Sequence, residues 1–435
     1  MIKSKVMPRK YEQSNTWLTR AEKTIPLGSQ TFSKSQISYP KGVSPLFIKR
    51  GQDCQVWDAD DNQYTDFVSG LLSVSLGYCN ETVDNAVIKQ IKSGVTFSLP
   101  HQLEMQVAEK LVELIPCADM VRFGKNGSDA TSAAIRLARA YTGKEHIAVC
   151  GYHGWQDWYI GSTTRSLGVP ESTKSLTHTF KYNDISSLEQ IFRQQENKIA
   201  VVILEPMNTH FPQDNFLQKV KELCKKQGAV LIFDETITGF RFSMGGAQEL
   251  FDVTPDLATF GKGMANGYPI SAVVGRKDIM MLMEDIFFSG TFAGETLSLA
   301  ATQATLNFME QHNVIAHLTA MGEKLQAGLE KIIDDMQAQK WLSLSGHPVW
   351  SFLNIAEQGR YSAIELKSLF LQEMARRGIL LGGGHNLSYA HKSADIDKLL
   401  LAYKAVLPIL ANTIKKNNFD SVFKGELLQP VFKVR

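Results

Sequence analysis

Cysteine is scarce: Cys54, Cys79, Cys117, Cys150 and Cys224 are the only five in 435 residues. They are odd in number, scattered and free of Cys-x-x-Cys spacing, which excludes a disulfide framework and a cysteine-built zinc site and suits a reducing cytoplasm. No metal is expected. Neither sign of charge is in excess, since 46 Lys and Arg face 44 Asp and Glu for a formal net charge of +2. That balance gives no electrostatic reason to expect nucleic acid or a membrane surface as partner. No apolar run approaches a membrane span; residues 200–204 and 229–233 are strand-sized. Residues 1–10 are basic with no apolar stretch behind them, so a secretory signal is not expected. Repeats, low-complexity tracts and Gly/Ser linkers are missing too. What remains is an ordinary globular composition, 44% hydrophobic and 21% charged, in a chain long enough for two cores.

The pattern changes along the chain. A short helix is expected around residues 12–23, then strands around a turn at 46–51, 55–58 and 61–67. From about Leu103, long helical stretches alternate with the apolar runs Ile147-Ala148-Val149-Cys150, Val201-Val202-Ile203-Leu204, Val230-Leu231-Ile232-Phe233 and Ser271-Ala272-Val273-Val274-Gly275. Helix-separated runs of this length predict an α/β fold with a mostly parallel sheet covered on both faces. We expect residues 78–305 to form this large domain, and residues 1–77 and 306–435 a smaller α+β one.

Two runs end in acids, Leu204 before Glu205 and Phe233 before Asp234-Glu235. Ligands of parallel α/β sheets sit at the carboxyl ends of strands, although a single acid there also serves as a helix cap or a surface charge. Asp234 closes a fully apolar strand, where an ionised carboxylate needs a cationic or hydrogen-bonding partner such as a protonated pyridine nitrogen. Phe123-Gly124-Lys125-Asn126-Gly127-Ser128-Asp129 precedes a helix over residues 131–142. It reads as a phosphate cradle at a helix start, without a Walker lysine or GxGxxG spacing, or as a plain cap. Tyr152, in Gly151-Tyr152-His153-Gly154-Trp155, offers a ring to stack on a flat heterocycle, or fills a tight turn. Lys262 lies among small residues in Gly261-Lys262-Gly263-Met264-Ala265, where an amine of lowered pKa acts as a nucleophile and an ordinary one is a surface charge.

In this order, with Asp234-Glu235-Thr236-Ile237-Thr238-Gly239-Phe240-Arg241 followed by Pro255-Asp256-Leu257 and Gly261-Lys262, the chain resembles the class III aminotransferases of fold type I over residues 20–405. The resemblance implies a seven-stranded large domain and pyridoxal 5′-phosphate as cofactor. It makes Lys262 the Schiff-base lysine and proton shuttle, and Asp234 the partner of the pyridinium nitrogen. Asn126, Gly127 and Ser128 become phosphate binders, Tyr152 the stacking ring, and Glu205 the glutamate beneath the cofactor. Thr291, in Ser289-Gly290-Thr291-Phe292, is similar to the residue that reaches the phosphate of the neighbouring subunit, which implies a homodimer with shared sites.

Within the class the sequence is similar to glutamate-1-semialdehyde aminomutases, and the departures bear on substrate. Lys34 stands where they carry a carboxylate-binding arginine, Leu71 replaces an active-site tryptophan, and Gly382-Gly383-Gly384-His385 replaces an acidic loop. Lysine lacks the planar fork that grips a carboxylate in bidentate fashion. Asp129 and Glu295 replace a Glu and an Asn of the usual patterns, and Thr236 an apolar residue expected to face the ring. The polar and aromatic stretch from Trp155 to Arg165 resembles loops of amino-sugar and polysaccharide-pathway aminotransferases, and also suits a structural loop. Lys34, Trp155, Arg165 and His385 are the candidate substrate contacts. The expected activity is amino transfer from an amino acid, L-glutamate by family analogy, to a sugar or sugar-nucleotide carbonyl. Its rivals are intramolecular amino transfer and a non-catalytic cofactor-binding regulator.

Overall fold

The computed structural model describes residues 9–431, so most of the basic opening, residues 1–8, lies outside the described residues. The contacts divide the chain into two units, one of residues 9–71, 76–79 and 316–431, the other of residues 72–75 and 80–315.

The second unit holds a seven-stranded sheet. Its strands are β1 (Met120–Gly124), β2 (His146–Cys150), β3 (Thr177–Thr179), β4 (Ile199–Leu204), β5 (Val230–Asp234), β6 (Leu257–Phe260) and β7 (Ser271–Gly275). Their spatial order is β1-β7-β6-β5-β4-β2-β3. All neighbours are parallel except β7, which runs antiparallel to β6 and β1. Every residue of β4 and β5 is buried, as continuous apolar runs in a doubly covered sheet must be. Each fully buried Val, Leu or Ile side chain stabilises the fold by roughly 1.5–3 kcal/mol, which holds the polar residues that follow in register at the strand ends.

Helix α1 (Gly127–Thr142) starts four residues earlier than the alternation of side chains indicates. Its capping box explains the difference, because the Asn126 side chain accepts from the Asp129 N–H while the Asp129 carboxylate accepts from the Asn126 N–H at 3.0 Å. Gly143, left-handed at φ 66°, ends it. Asp129 and Glu295 therefore both have structural work. Glu295 accepts from the Leu297 and Ser298 N–H groups at the start of α2 (Thr296–Gln311) and pairs with Lys125 at 2.9 Å.

In the other unit, Ile48–Gln52, Gln55–Asp58 and Gln63–Asp66 pair antiparallel, joined by Ile379–Leu380. The helix Glu12–Ala21 precedes them. Where the chain passes from this unit to the other, Ser69, Gly70, Leu71 and Leu72 have φ of 47°, 58°, 59° and 70°, a left-handed turn that costs roughly 1–2 kcal/mol for each non-glycine residue. No helix among the described residues is long and apolar enough to cross a membrane.

Candidate active site

A cavity of about 420 Å³ opens at the carboxyl ends of β2, β4 and β5. It is lined by the start of α1 (Asn126, Gly127, Ser128), by Tyr152 and Trp155, by Glu205, by Asp234 and Thr236, and by Lys262. The expected cofactor residues Asn126, Gly127, Ser128, Tyr152, Glu205, Asp234 and Lys262 thus meet in one space, although they are spread over 137 positions of sequence from Asn126 to Lys262.

Asp234 is 5% exposed. Its Oδ1 accepts from the Thr236 hydroxyl at 2.6 Å, the Thr236 N–H at 3.1 Å and the Thr259 hydroxyl at 3.0 Å, and its Oδ2 lies 2.9 Å from His153 Nδ1. Burial pushes the carboxyl up, but the bonds and charge from His153 and the bonds from Thr236 outweigh it and hold the group below the usual carboxylate range. The other ring nitrogen, Nε2, is 3.0 Å from the Cys150 carbonyl, which can only accept, so Nε2 carries a proton. The Nδ1···Oδ2 contact then contains one proton held between imidazole and carboxyl. His153 escapes a reading of the sequence because its partner is 81 residues away. Thr236, unusual by family pattern, is likewise part of the carboxylate's support.

Glu205 is buried, accepts from the Tyr152 N–H at 3.0 Å and from Asn208 Nδ2 at 3.3 Å, and burial raises its carboxyl. Glu235, adjacent to Asp234, serves the fold instead. Fully buried, it accepts from the Ala247 and Gln248 N–H groups at 2.8 Å each and from the Thr238 hydroxyl.

Lys262 lies in a short turn, Lys262–Ala265, at φ 43°. Burial lowers its amine to about 8, against the opposing pull of Glu205 and Asp234 and with help from Arg241. An amine at that value keeps an appreciable free-base fraction near neutral pH, as a nucleophilic lysine must. At the cavity's other side the first turn of α1 brings N–H groups that no helical carbonyl can satisfy, a natural anion site. The Ser128 hydroxyl accepts from the Trp155 N–H at 3.2 Å. Gly154, at φ 103°, lies so near that a Cβ there would stand 2.2 Å from that hydroxyl. The Tyr152 ring, 48% exposed, meets Tyr159 edge-on at 5.6 Å. A buried carboxylate, a nucleophilic amine, a helix-start anion cradle and a half-open ring fit a flat, phosphorylated aldehyde with a basic ring nitrogen.

The remaining candidates divide between this cavity and other parts of the fold. Trp155 lines the cavity and is 64% exposed, while Arg165 is exposed in a turn. Thr291 is exposed and not part of this lining. Lys34 is exposed at the end of a short turn, Phe32–Lys34, in the first unit. His385, also there, is 2% exposed, with Nδ1 2.9 Å from the Ser351 hydroxyl and Nε2 2.5 Å from the Tyr403 hydroxyl. Burial lowers its imidazole to about 4. Both nitrogens are spent in the interior of its own unit, so the geometry makes it a core histidine rather than a substrate contact.

Comparison with known proteins is consistent over most of the chain. Residues 38–386 match the model of the class-III aminotransferase family. The chain is 34% identical to 3-aminobutyryl-CoA aminotransferase of Cloacimonas acidaminovorans over 89% of its own length and 94% of that protein. It is equally identical, 34%, to glutamate-1-semialdehyde 2,1-aminomutase of Syntrophobacter fumaroxidans, over 89% and 95%. Among solved structures it is similar to the FumI protein of Sphingopyxis sp. MTA144 in a PLP form, with a TM-score of 0.87 at 28% identity, covering 93% and 98% of the two chains.

Proposed function

The chain belongs to the class III aminotransferases, fold type I enzymes whose cofactor is pyridoxal 5′-phosphate, and we propose that it moves an amino group between two molecules rather than within one. The observation that carries the assignment of chemistry is the Lys262 amine, brought down to about 8 in a cavity that also holds the buried Asp234.

When bound, pyridoxal 5′-phosphate supplies a cationic ring that takes up the electron pair left when a carbon bearing nitrogen loses its proton. The chain's own residues do the rest. Lys262 would hold the cofactor covalently and, as a free amine, would carry a proton to and from the substrate carbon. Asp234, supported by His153, Thr236 and Thr259, keeps a proton on the ring nitrogen. Asn126, Gly127 and Ser128 would take the phosphate, and Tyr152 and Glu205, which line the same cavity, would contact the ring. Thr291 completes the phosphate site of a partner subunit in a homodimer. Five free cysteines suit a cytoplasmic enzyme.

For substrate, L-glutamate is the donor and a polyhydroxylated aldehyde or ketone, a sugar or sugar nucleotide, the acceptor, with Lys34, Trp155 and Arg165 as its contacts. Lys34 supports transfer between molecules, because an enzyme that moves nitrogen within one molecule must grip a small carboxylate throughout and a lysine offers a point charge without the fork. The exposed Trp155 offers a face for a sugar ring. Intramolecular transfer remains the second reading, favoured by the 34% identity to the aminomutase.

Two experiments test this. Borohydride reduction of the holoenzyme followed by peptide mapping should place the cofactor on Lys262; an adduct on any other lysine overturns the assignment. L-glutamate alone should then release one equivalent of 2-oxoglutarate per site, with turnover restored by one member of an acceptor panel of sugar aldehydes, keto sugars and 3-oxoacyl thioesters. Efficient conversion of glutamate 1-semialdehyde to 5-aminolevulinate without any added donor would decide for the second reading.

A further inference from the structure

Arg241 is the largest fully buried side chain among the described residues, 1% exposed. Burying a guanidinium costs several kcal/mol unless its hydrogen bonds are met, so such a group persists only where its charge or its bonds are used. Its Nη2 donates at 3.4 Å to the Leu72 carbonyl and at 3.4 Å to the Ser75 hydroxyl, both in the same unit. Leu72 closes the left-handed turn, and Ser75 is 1% exposed. Ser75 in turn presses on the residue after Lys262: a Cβ added to Gly263 would stand 2.3 Å from the Ser75 hydroxyl. Arg241, the segment 72–75 and the Lys262 turn therefore form one packed stack.

We propose that Arg241 is a positioning residue, which ties residues 72–75 against the turn carrying Lys262 and sets a second positive charge behind the lysine nitrogen. Among described residues, the charged or titratable groups around that nitrogen are Glu205 and Asp234, which favour its protonation, and Arg241, which opposes it; His153 and Tyr152 border the two acids. Of the groups that act on that nitrogen itself, Arg241 is the one of like charge. This role rests on the reading of Lys262 as the residue that holds the cofactor.

The test uses the holoenzyme. In Arg241→Met the pH midpoint of the visible absorption, which follows the proton on the Lys262 nitrogen, should rise by roughly half a unit to one unit, the size of a like charge felt through a protein interior. Hydrogen exchange of the 72–75 amides should quicken in the same variant. Arg241→Lys should restore the midpoint but not the slow exchange, and Ser75→Ala should quicken exchange without moving the midpoint. These two milder variants decide the matter should Arg241→Met fail to fold. A midpoint and an exchange rate both unchanged in Arg241→Met, or in Arg241→Lys and Ser75→Ala a loss of thermal stability alone, would overturn the proposal and leave Arg241 a structural cation. Borohydride mapping on the same samples keeps the outcomes apart. In Arg241→Met an adduct on Lys262 with midpoint and exchange both unmoved refutes the role of Arg241, whereas an adduct elsewhere refutes the reading of Lys262 beneath it.

Discussion

Lys262 shows how environment rather than identity makes a residue reactive. Surface lysines stay protonated to near their ordinary value, whereas this amine is brought to about 8, chiefly by burial. In cofactor-free protein, competitive acetylation followed by mass spectrometry should give Lys262 a midpoint near pH 8, well below that of the exposed lysines. Titration with the surface set would mean the pocket does not perturb it. The linkage has a definite sign: the unfolded lysine holds its proton to higher pH than the folded one, so this group makes the cofactor-free fold more stable as pH rises from about 8 towards the ordinary lysine value. Asp234 calls for a different experiment. Asp234→Asn keeps the shape and the Thr236 and Thr259 contacts but removes the charge, so turnover should fall about a hundredfold or more with the circular-dichroism spectrum unchanged. Near-normal turnover would make the residue structural. Both positions were legible in sequence because each sits in a local motif. The roles of His153 and Arg241 were not, although both lie within such motifs, since one depends on a partner 81 residues away and the other on a burial that spacing does not show.

At the scale of elements, the start of α1 and the β2 loop are built as a pair. Gly154→Ala would force a methyl group to within 2.2 Å of the Ser128 hydroxyl and strain a backbone at φ 103°. We expect it to release cofactor at lower dilution than wild type while the helix persists, measured by equilibrium dialysis. Asn126→Ala should weaken cofactor retention too and in addition cost about 1 kcal/mol of stability by removing the cap, read from urea midpoints of the cofactor-free protein. If Gly154→Ala retains cofactor as wild type does, the loop has no specific role in holding the anion. The strands illustrate what sequence can yield. Four of the seven, β2, β4, β5 and β7, announce themselves as apolar runs. The others do not: β1 carries Arg122, β3 is a three-residue edge reading Thr-His-Thr, and β6 mixes Leu, Ala, Thr and Phe. An edge strand needs only one apolar face, and a short strand has too few residues to show a period.

For the whole molecule, the decisive matter is whether one chain suffices. Thr291 is exposed and outside the cavity lining of its own chain, as a residue serving a partner's site would be. Mixing Thr291→Ala subunits with Lys262→Ala subunits should yield hybrid dimers with one intact site, which takes its lysine from one subunit and its threonine from the other, while the second site lacks both. Hybrids that regain no wild-type site, measured as 2-oxoglutarate released per dimer, would mean that Thr291 acts on its own chain.

The antiparallel strand β7 carries a further consequence, for synthesis on the ribosome. It lies between β1 and β6, and β1 has no other neighbour in the sheet. A chain emerging from the N-terminus has therefore made β1 some 150 residues before the strand that pairs with it, and contacts so distant in sequence form slowly. Until residue 275 is out, β1 and β6 present bare edges, the kind of surface on which nascent chains stick to one another. Lys262 is translated before β7 yet lies in the connection between β6 and β7, so its turn is anchored at only one end until the sheet closes. Cofactor added during translation should accordingly protect ribosome-held chains from proteolysis only once β7 has cleared the exit tunnel.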